Sequence, residues 1–238
     1  MARHSSAWAE WQRGTLGRAV VAAEAQLLSE ACDDVFGLEL LQLGVWGSAR
    51  ELISTSRVRR QTLVSAGHSQ PADIVASAAA LPIATNSIDA VLLPHTLEVE
   101  PDPGAVLREA ERVLVGEGQL VVLGFRPWSP WGLRSAISRA GYPPGLGRLL
   151  SEKRLRDWLT LLGFQVTLSR HYLYFAPKSL RSDHRQSALS MLRRGLFNPL
   201  PAGAYLLKAR KRVYAPTPLR MRRREHAPLV GSVLNPSA

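Results

Sequence analysis

Residues 81–125 read LPIATNSIDAVLLPHTLEVEPDPGAVLREAERVLVGEGQLVVLGF, and this stretch decides the architecture. Ile88 to Leu93 is a short apolar run entered through Asn86-Ser87, the pattern of a buried strand. Pro101-Asp102-Pro103 closes the loop that follows. From Gly104 to Leu114, Ala105, Leu107, Ala110, Val113 and Leu114 recur near helical spacing, with Arg108, Glu109, Glu111 and Arg112 between them. Gly116-Glu117-Gly118 stops that helix, and Gln119 to Phe125 is a second apolar strand. A strand, a crossover helix and a strand in this order form a right-handed parallel pair. Open parallel sheets bind ligands beyond the carboxyl ends of their strands. Those ends are Pro94-His95 and Gly124-Phe125.

Working outward toward the amino end, Leu16 to Phe36 reads as an amphipathic helix with Ala19, Val20, Ala23, Leu27, Leu28, Ala31 and Val35 on one side, and Gly37 as its C-cap. Leu38 to Leu43 is the first strand. It runs into Gly44-Val45-Trp46-Gly47-Ser48 and a helix from about Ala49. A strand, a glycine turn and a helix start can cradle a nucleotide-like ligand, because glycines admit a close backbone approach and the helix end offers free N–H groups. A purely structural turn has the same look. Gln61 to Val64 and Asp73 to Ala76 are short strands, joined by a polar stretch too short for much of a helix.

Toward the carboxyl end, Trp128 and Trp131 follow the strand that closes at Phe125. They either form an apolar wall for a planar substrate or pin the loop to the core. Ser151 caps a helix through Leu162 with Leu155, Trp158, Leu159 and Leu162 inward; Gly163 ends it, and Phe164 to Phe175 is a strand. Arg181 to Arg194 is a basic helical segment, and Ala202 to Val213 is the last strand.

Leu81-Pro82-Ile83, Ser87-Ile88-Asp89, His95-Thr96-Leu97-Glu98 and Arg112-Val113-Leu114 resemble the centre of the class I S-adenosylmethionine (SAM)-dependent methyltransferases, type 11, the group that includes ubiquinone and menaquinone methyltransferases. The resemblance runs from about Leu16 to Val213. It implies a Rossmann-like α/β sheet, mostly parallel with an antiparallel last strand and helices on both faces. It also implies SAM as cofactor and methyl transfer to a small-molecule or lipid-like acceptor.

Carried over residue by residue, the resemblance places the cofactor on Gln42, Gly44, Val45, Trp46 and Gly47 at the first turn, on Ser65 after the second strand, on Ser77 and Ala78 after the third, and on Pro94 after the fourth. Several of these depart from the family pattern. Gln42, Ser65 and Ser77 stand where an acid or strong polar anchor is usual, and Trp46 stands where the pattern has its second glycine. An indole there either fills the site or swings aside and stacks. A hydrogen bond to a charged group contributes roughly 1.5–3 kcal/mol, so losing two such anchors weakens binding by roughly 10²–10⁴. His95, at the tip of the fourth strand with an ordinary pKa near 6.5, is the best-placed general base; otherwise it merely hydrogen-bonds the next turn.

Composition narrows the classes. The chain has 238 residues, enough for one α/β domain over residues 1–213, followed by a Pro- and Arg-rich segment over 214–238 that reads as disordered. Cys32 is the single cysteine, so no disulfide or cysteine metal site forms within the chain; no metal motif appears. No apolar run approaches a membrane span, and the polar amino end lacks a signal-peptide core, so a cytoplasmic protein is expected. Net charge is +11. Up to Pro177, 17 Lys and Arg balance 17 Asp and Glu; beyond it there are 13 against 2. That asymmetry suggests nucleic acid or another anionic partner for the carboxyl-terminal segment. An alternative role follows: a methyltransferase fold with little or no activity, serving as a binding module.

Overall fold

The computed structural model describes residues 2–47, 50–53, 56–67, 72–139, 141–174, 177 and 200–213. Two helices lead in, α1 (Ala2–Arg13) and α2 (Thr15–Ala31). Then come β1 (Glu39–Leu43), β2 (Arg60–Ser65), β3 (Ile74–Val75), β4 (Ile88–Pro94), α3 (Thr96–Val99), α4 (Pro103–Val113), β5 (Leu114–Phe125), α5 (Pro130–Ile137), α6 (Glu152–Leu161), β6 (Phe164–Tyr172) and β7 (Ala204–Lys211). The strands form one sheet in the order β3-β2-β1-β4-β5-β7-β6. β1 lies parallel to β2 and β4, and β4 parallel to β5, while β7 runs antiparallel to both β5 and β6. The expected sheet is therefore present, and its order reverses between β1 and β4, where open sheets place ligands.

Alternation along the strands splits the core into two layers. Leu40, Leu92, Val121, Leu123 and Leu206 face α1 and α2. Leu41, Leu43, Val91, Leu93, Val122 and Leu207 face the layer that contains α4 and α6. α4 starts as its sequence demands: Pro103 is at its first turn and the Asp102 carboxylate accepts from Ala105 N at 3.0 Å. The motif residues around it serve the scaffold. Glu109 accepts from Leu81 N at 2.6 Å, and Arg112 donates to the Leu81 and Ile83 carbonyls. Asp89 on β4 accepts from Leu38 N and Glu39 N, which pins the start of β1.

Several boundaries differ from the sequence reading. α2 ends at Ala31 with Cys32 as its cap. Gly37 has another reason to be glycine: a Cβ there would lie 2.5 Å from the Asp89 side chain. The helix expected from Ala49 is not seen in residues 50–53, which form a turn. α1 and α5 were not foreseen. On α6 Leu155 and Leu159 are buried, whereas Trp158 is half-buried under the Arg154 guanidinium. The segments 181–194 and 214–238 lie outside the described residues. The basic residues of β7 and its end are consumed by the fold. Lys208 donates to the Ala31 carbonyl at 2.9 Å and pairs with Asp34. Lys211 reaches Glu111, and Arg210 and Arg212 both reach Glu117. Among the described residues, no helix is long and apolar enough to cross a membrane.

Candidate functional site

The sheet gathers the candidate residues along one edge, the carboxyl ends of its parallel strands, in two neighbouring groups. The first group stands over β1, β2 and β3. The chain leaves β1 through Gly44 and Gly47, both in the left-handed region, at φ 87° and 72°. Gly44 N donates to Val64 O at 2.8 Å, which ties the turn to β2. A side chain on Gly44 would lie 3.2 Å from Thr96 Oγ1, and one on Gly47 would lie 2.6 Å from Val21. Gln42 is fully buried; its amide donates to Gly44 O at 2.9 Å, and its Oε1 has no partner among the described residues. Ser65 ends β2 and is buried. Ala76 N bonds to Ser65 O, which brings Ser77 and buried Ala78 alongside. Pro94 closes β4 and is buried.

The second group stands over β4 and β5. His95 follows β4 with φ 57°, a left-handed conformation that costs a residue with a Cβ about 1–2 kcal/mol. Carboxylates on both sides hold it there. Nε2 lies 3.0 Å from Glu24 Oε1 and Nδ1 lies 2.9 Å from Glu98 Oε2, with all three side chains buried. Burial opposes a charged ring, but the facing carboxylates of Glu24 and Glu98 outweigh it and hold the imidazole pKa up at about 9. Glu98 is itself pushed up by burial; its other oxygen accepts from Phe125 N at 2.7 Å. Glu24 also accepts from the Tyr172 hydroxyl at 2.8 Å and from the Trp46 indole N–H. Burial, with Glu24 adding to it, raises the Tyr172 hydroxyl well above its ordinary pKa.

Aromatic rings close over this polar cluster. Trp46 is fully buried, with its ring centroid 4.3 Å from His95 and 4.3 Å from Trp8. Phe125 stacks on His95 at 4.4 Å and on Trp131 at 5.5 Å. Trp11 from α1 meets Trp131 and Tyr142 edge-on.

Two expectations are corrected here. His95 is not placed as a general base, because both ring nitrogens face carboxylates that already engage them and raise its pKa. Trp128 builds no wall: it is 88 % exposed, whereas Trp131 is buried against the core. The indole of Trp46 does not swing to the surface: it fills the space between the Trp8 and His95 rings. It packs on the α2 side, bonded to Glu24. Glu24, Trp8 and Trp11 were missed. Glu24 could have been suspected, since it is a lone acid on the buried stripe Val20, Val21, Ala23, Leu27, Leu28 of α2.

The first group suits a small polar ligand with a donor to offer. Its turn keeps two left-handed glycines, and Gln42 Oε1 is a buried acceptor without a partner among the described residues. The second group has no free base, since each cluster carboxylate already accepts from several donors.

Comparison with known proteins bears on the fold. The family described as a methyltransferase domain matches residues 23–122. The uncharacterized protein YafS of Escherichia coli is 39% identical over 133 residues, covering 56% of this chain and 55% of that protein. The uncharacterized protein Rv2003c of Mycobacterium tuberculosis is 30% identical over 190 residues, covering 76% of this chain and 65% of that protein. The chain thus spans between about half and two thirds of the length of these curated relatives. Among solved structures, a SAM-dependent methyltransferase, possible histamine N-methyltransferase, from Thermotoga maritima superposes with TM-score 0.58 at 18% identity, covering 88% of this chain and 97% of that one. A SAM-dependent methyltransferase from Mesorhizobium loti gives 0.55 at 15%, covering 79% and 97%. The [4+2]-cyclase SpnF also matches, at 0.54 and 19%, covering 80% of each chain, so the shared property is the fold. The sheet is that of Rossmann-like methyltransferases.

Proposed function

We propose that the chain is a SAM-dependent methyltransferase acting on a small or lipid-like acceptor. The observation that carries this reading is the β1 turn. Two left-handed glycines and the unpartnered, buried Gln42 Oε1 meet at the point where the strand order reverses, within the residues matched by a methyltransferase domain. When bound, SAM supplies a sulfonium-activated methyl group.

The residues of the chain would act by holding and excluding. Gly44, Val45 and Gly47 present backbone to the ligand, and Gln42 Oε1 takes one donor. Ser65, Ser77 and Ala78 line the nucleoside side without charge. Over β4 and β5 the aromatic cluster excludes water, and the charged network beneath fixes Pro94 and His95. With no free base there, the site contributes alignment to methyl transfer, and the acceptor must bring an atom nucleophilic in its own right.

Calorimetric titration with SAM and with S-adenosylhomocysteine tests the reading. Binding is expected at about 0.1–10 mM, given the missing acidic anchors. Absence of heat at that ligand concentration for both compounds would refute it.

A further inference from the structure

Helix α5 and its lead-in residue are apolar on both sides. Trp131 and Gly132 face inward and are buried. On the outside, Leu133 is 66 % exposed, Ile137 78 % and the preceding Trp128 88 %. Leu133 and Ile137 are four residues apart and so share one helix face. Ser129 is the N-cap, which puts Trp128 and Leu133 at the two positions of a hydrophobic staple, on adjoining surface. An ordinary surface helix shows polar side chains on its outer face, and this one shows a tryptophan, a leucine and an isoleucine.

The charge carried by this segment is of one sign. Residues 126–148 carry four arginines, Arg126, Arg134, Arg139 and Arg148, and no Asp or Glu. Arg139 and Arg148 are exposed, and the Arg134 guanidinium lies 4.1 Å from the Tyr142 ring centroid. By contrast, the exposed pair Phe36 and Leu38 is flanked in sequence by Asp33, Asp34 and Glu39. The α5 segment also directly follows Phe125, the tip of β5 beside the aromatic cluster.

We infer that Trp128, Leu133 and Ile137 form a docking face for an anionic lipid surface. The three apolar side chains enter the boundary between headgroups and acyl chains, where an indole is well suited to sit. The neighbouring arginines meet lipid phosphates. Docked in this way, the acceptor edge of the sheet lies next to the bilayer, and a lipid-like acceptor reaches it without crossing water. That last consequence rests on the methyltransferase reading; attachment to the surface does not.

Co-sedimentation of the full chain with vesicles tests the face. Phosphatidylcholine vesicles containing phosphatidylglycerol should retain the protein, and phosphatidylcholine alone should retain much less. Combining Trp128→Ser, Leu133→Ser and Ile137→Ser changes no charge, so it leaves untouched any attraction due to basic residues elsewhere. It should lower partitioning by about tenfold or more. A second measurement covers the case of a misfolded triple variant. Ile137→Cys carrying an environment-sensitive dye should shift to the blue on anionic vesicles; Cys32 competes poorly for label because burial pushes its thiol pKa up to about 11, with Lys208 acting against it and Asp34 with it. The inference is overturned if the full chain does not sediment, if the triple variant partitions like the parent, if the dye does not respond, or if the substitutions abolish self-association while vesicle binding persists. Loss of SAM binding with vesicle binding intact would count against the methyltransferase reading alone.

Discussion

The two halves of the ligand edge are built on opposite terms. Over β1–β3, Gln42, Ser65 and Ser77 are uncharged, and Gln42 keeps a buried oxygen without a partner among the described residues. Over β4–β5, Glu24, His95, Glu98 and Tyr172 interlock with every facing group bonded, under a lid of six aromatic rings. A polar group without a partner leaves a bond to be made; a cluster that is already satisfied holds shape. The contrast is why the proposed ligand contacts fall on the first half, while the second is rigid.

The largest test removes the hub. Glu24→Ala strands a protonated imidazole, an indole N–H and a phenol in a dry core, and unfolding in urea should show a loss of about 3–5 kcal/mol. Glu24→Gln keeps an acceptor and should cost less. Equal stability of the alanine variant and the parent would dissolve the distinction between the halves.

Titration comes next. The His95 pKa is raised in the fold, from near 6.5 to about 9, so its stabilisation is fully present below pH 6.5 and disappears as pH rises through about 9. That limb should amount to about 3 kcal/mol in denaturant melts and be missing in His95→Gln.

The other half can be strengthened rather than broken. Ser65→Asp restores an acid at the end of β2 and should tighten SAM by roughly 10–100-fold in calorimetry, in line with about 1.5–3 kcal/mol for a charged hydrogen bond. The smallest effect belongs to Gln42→Leu. It should weaken SAM by roughly fivefold, about 1 kcal/mol, while stability moves by no more than about 1.5 kcal/mol.

Much of the scaffold was legible before any coordinates. Ile88–Leu93 and Gln119–Phe125 are apolar runs long enough to be buried parallel strands, although β5 already begins at Leu114, before the Gly116-Glu117-Gly118 stretch read as a break. These signals are local: each depends on residues a few positions apart. The turn at Gly44 was legible for the same reason, since its glycines and Gln42 lie within six residues.

The second half of the site was not legible. His95 pairs with Glu24 across 71 positions, and Tyr172 reaches the same carboxylate across 148. Trp46 looked like an intruder on the cofactor turn until α1 and α2 were seen to receive its ring and its N–H. Trp128 and Trp131, three residues apart, looked equivalent; the helix between Pro130 and Ile137 turned one inward and left the other in water.

Local pattern was thus enough for most strands, the β1 turn and the parallel topology, because hydrophobic period and backbone chemistry act over short distances. The charge state of His95, the resting place of the Trp46 ring and the outward apolar face of α5 came from packing alone. Each depends on which distant groups share a volume without water, and that is a property of the folded chain.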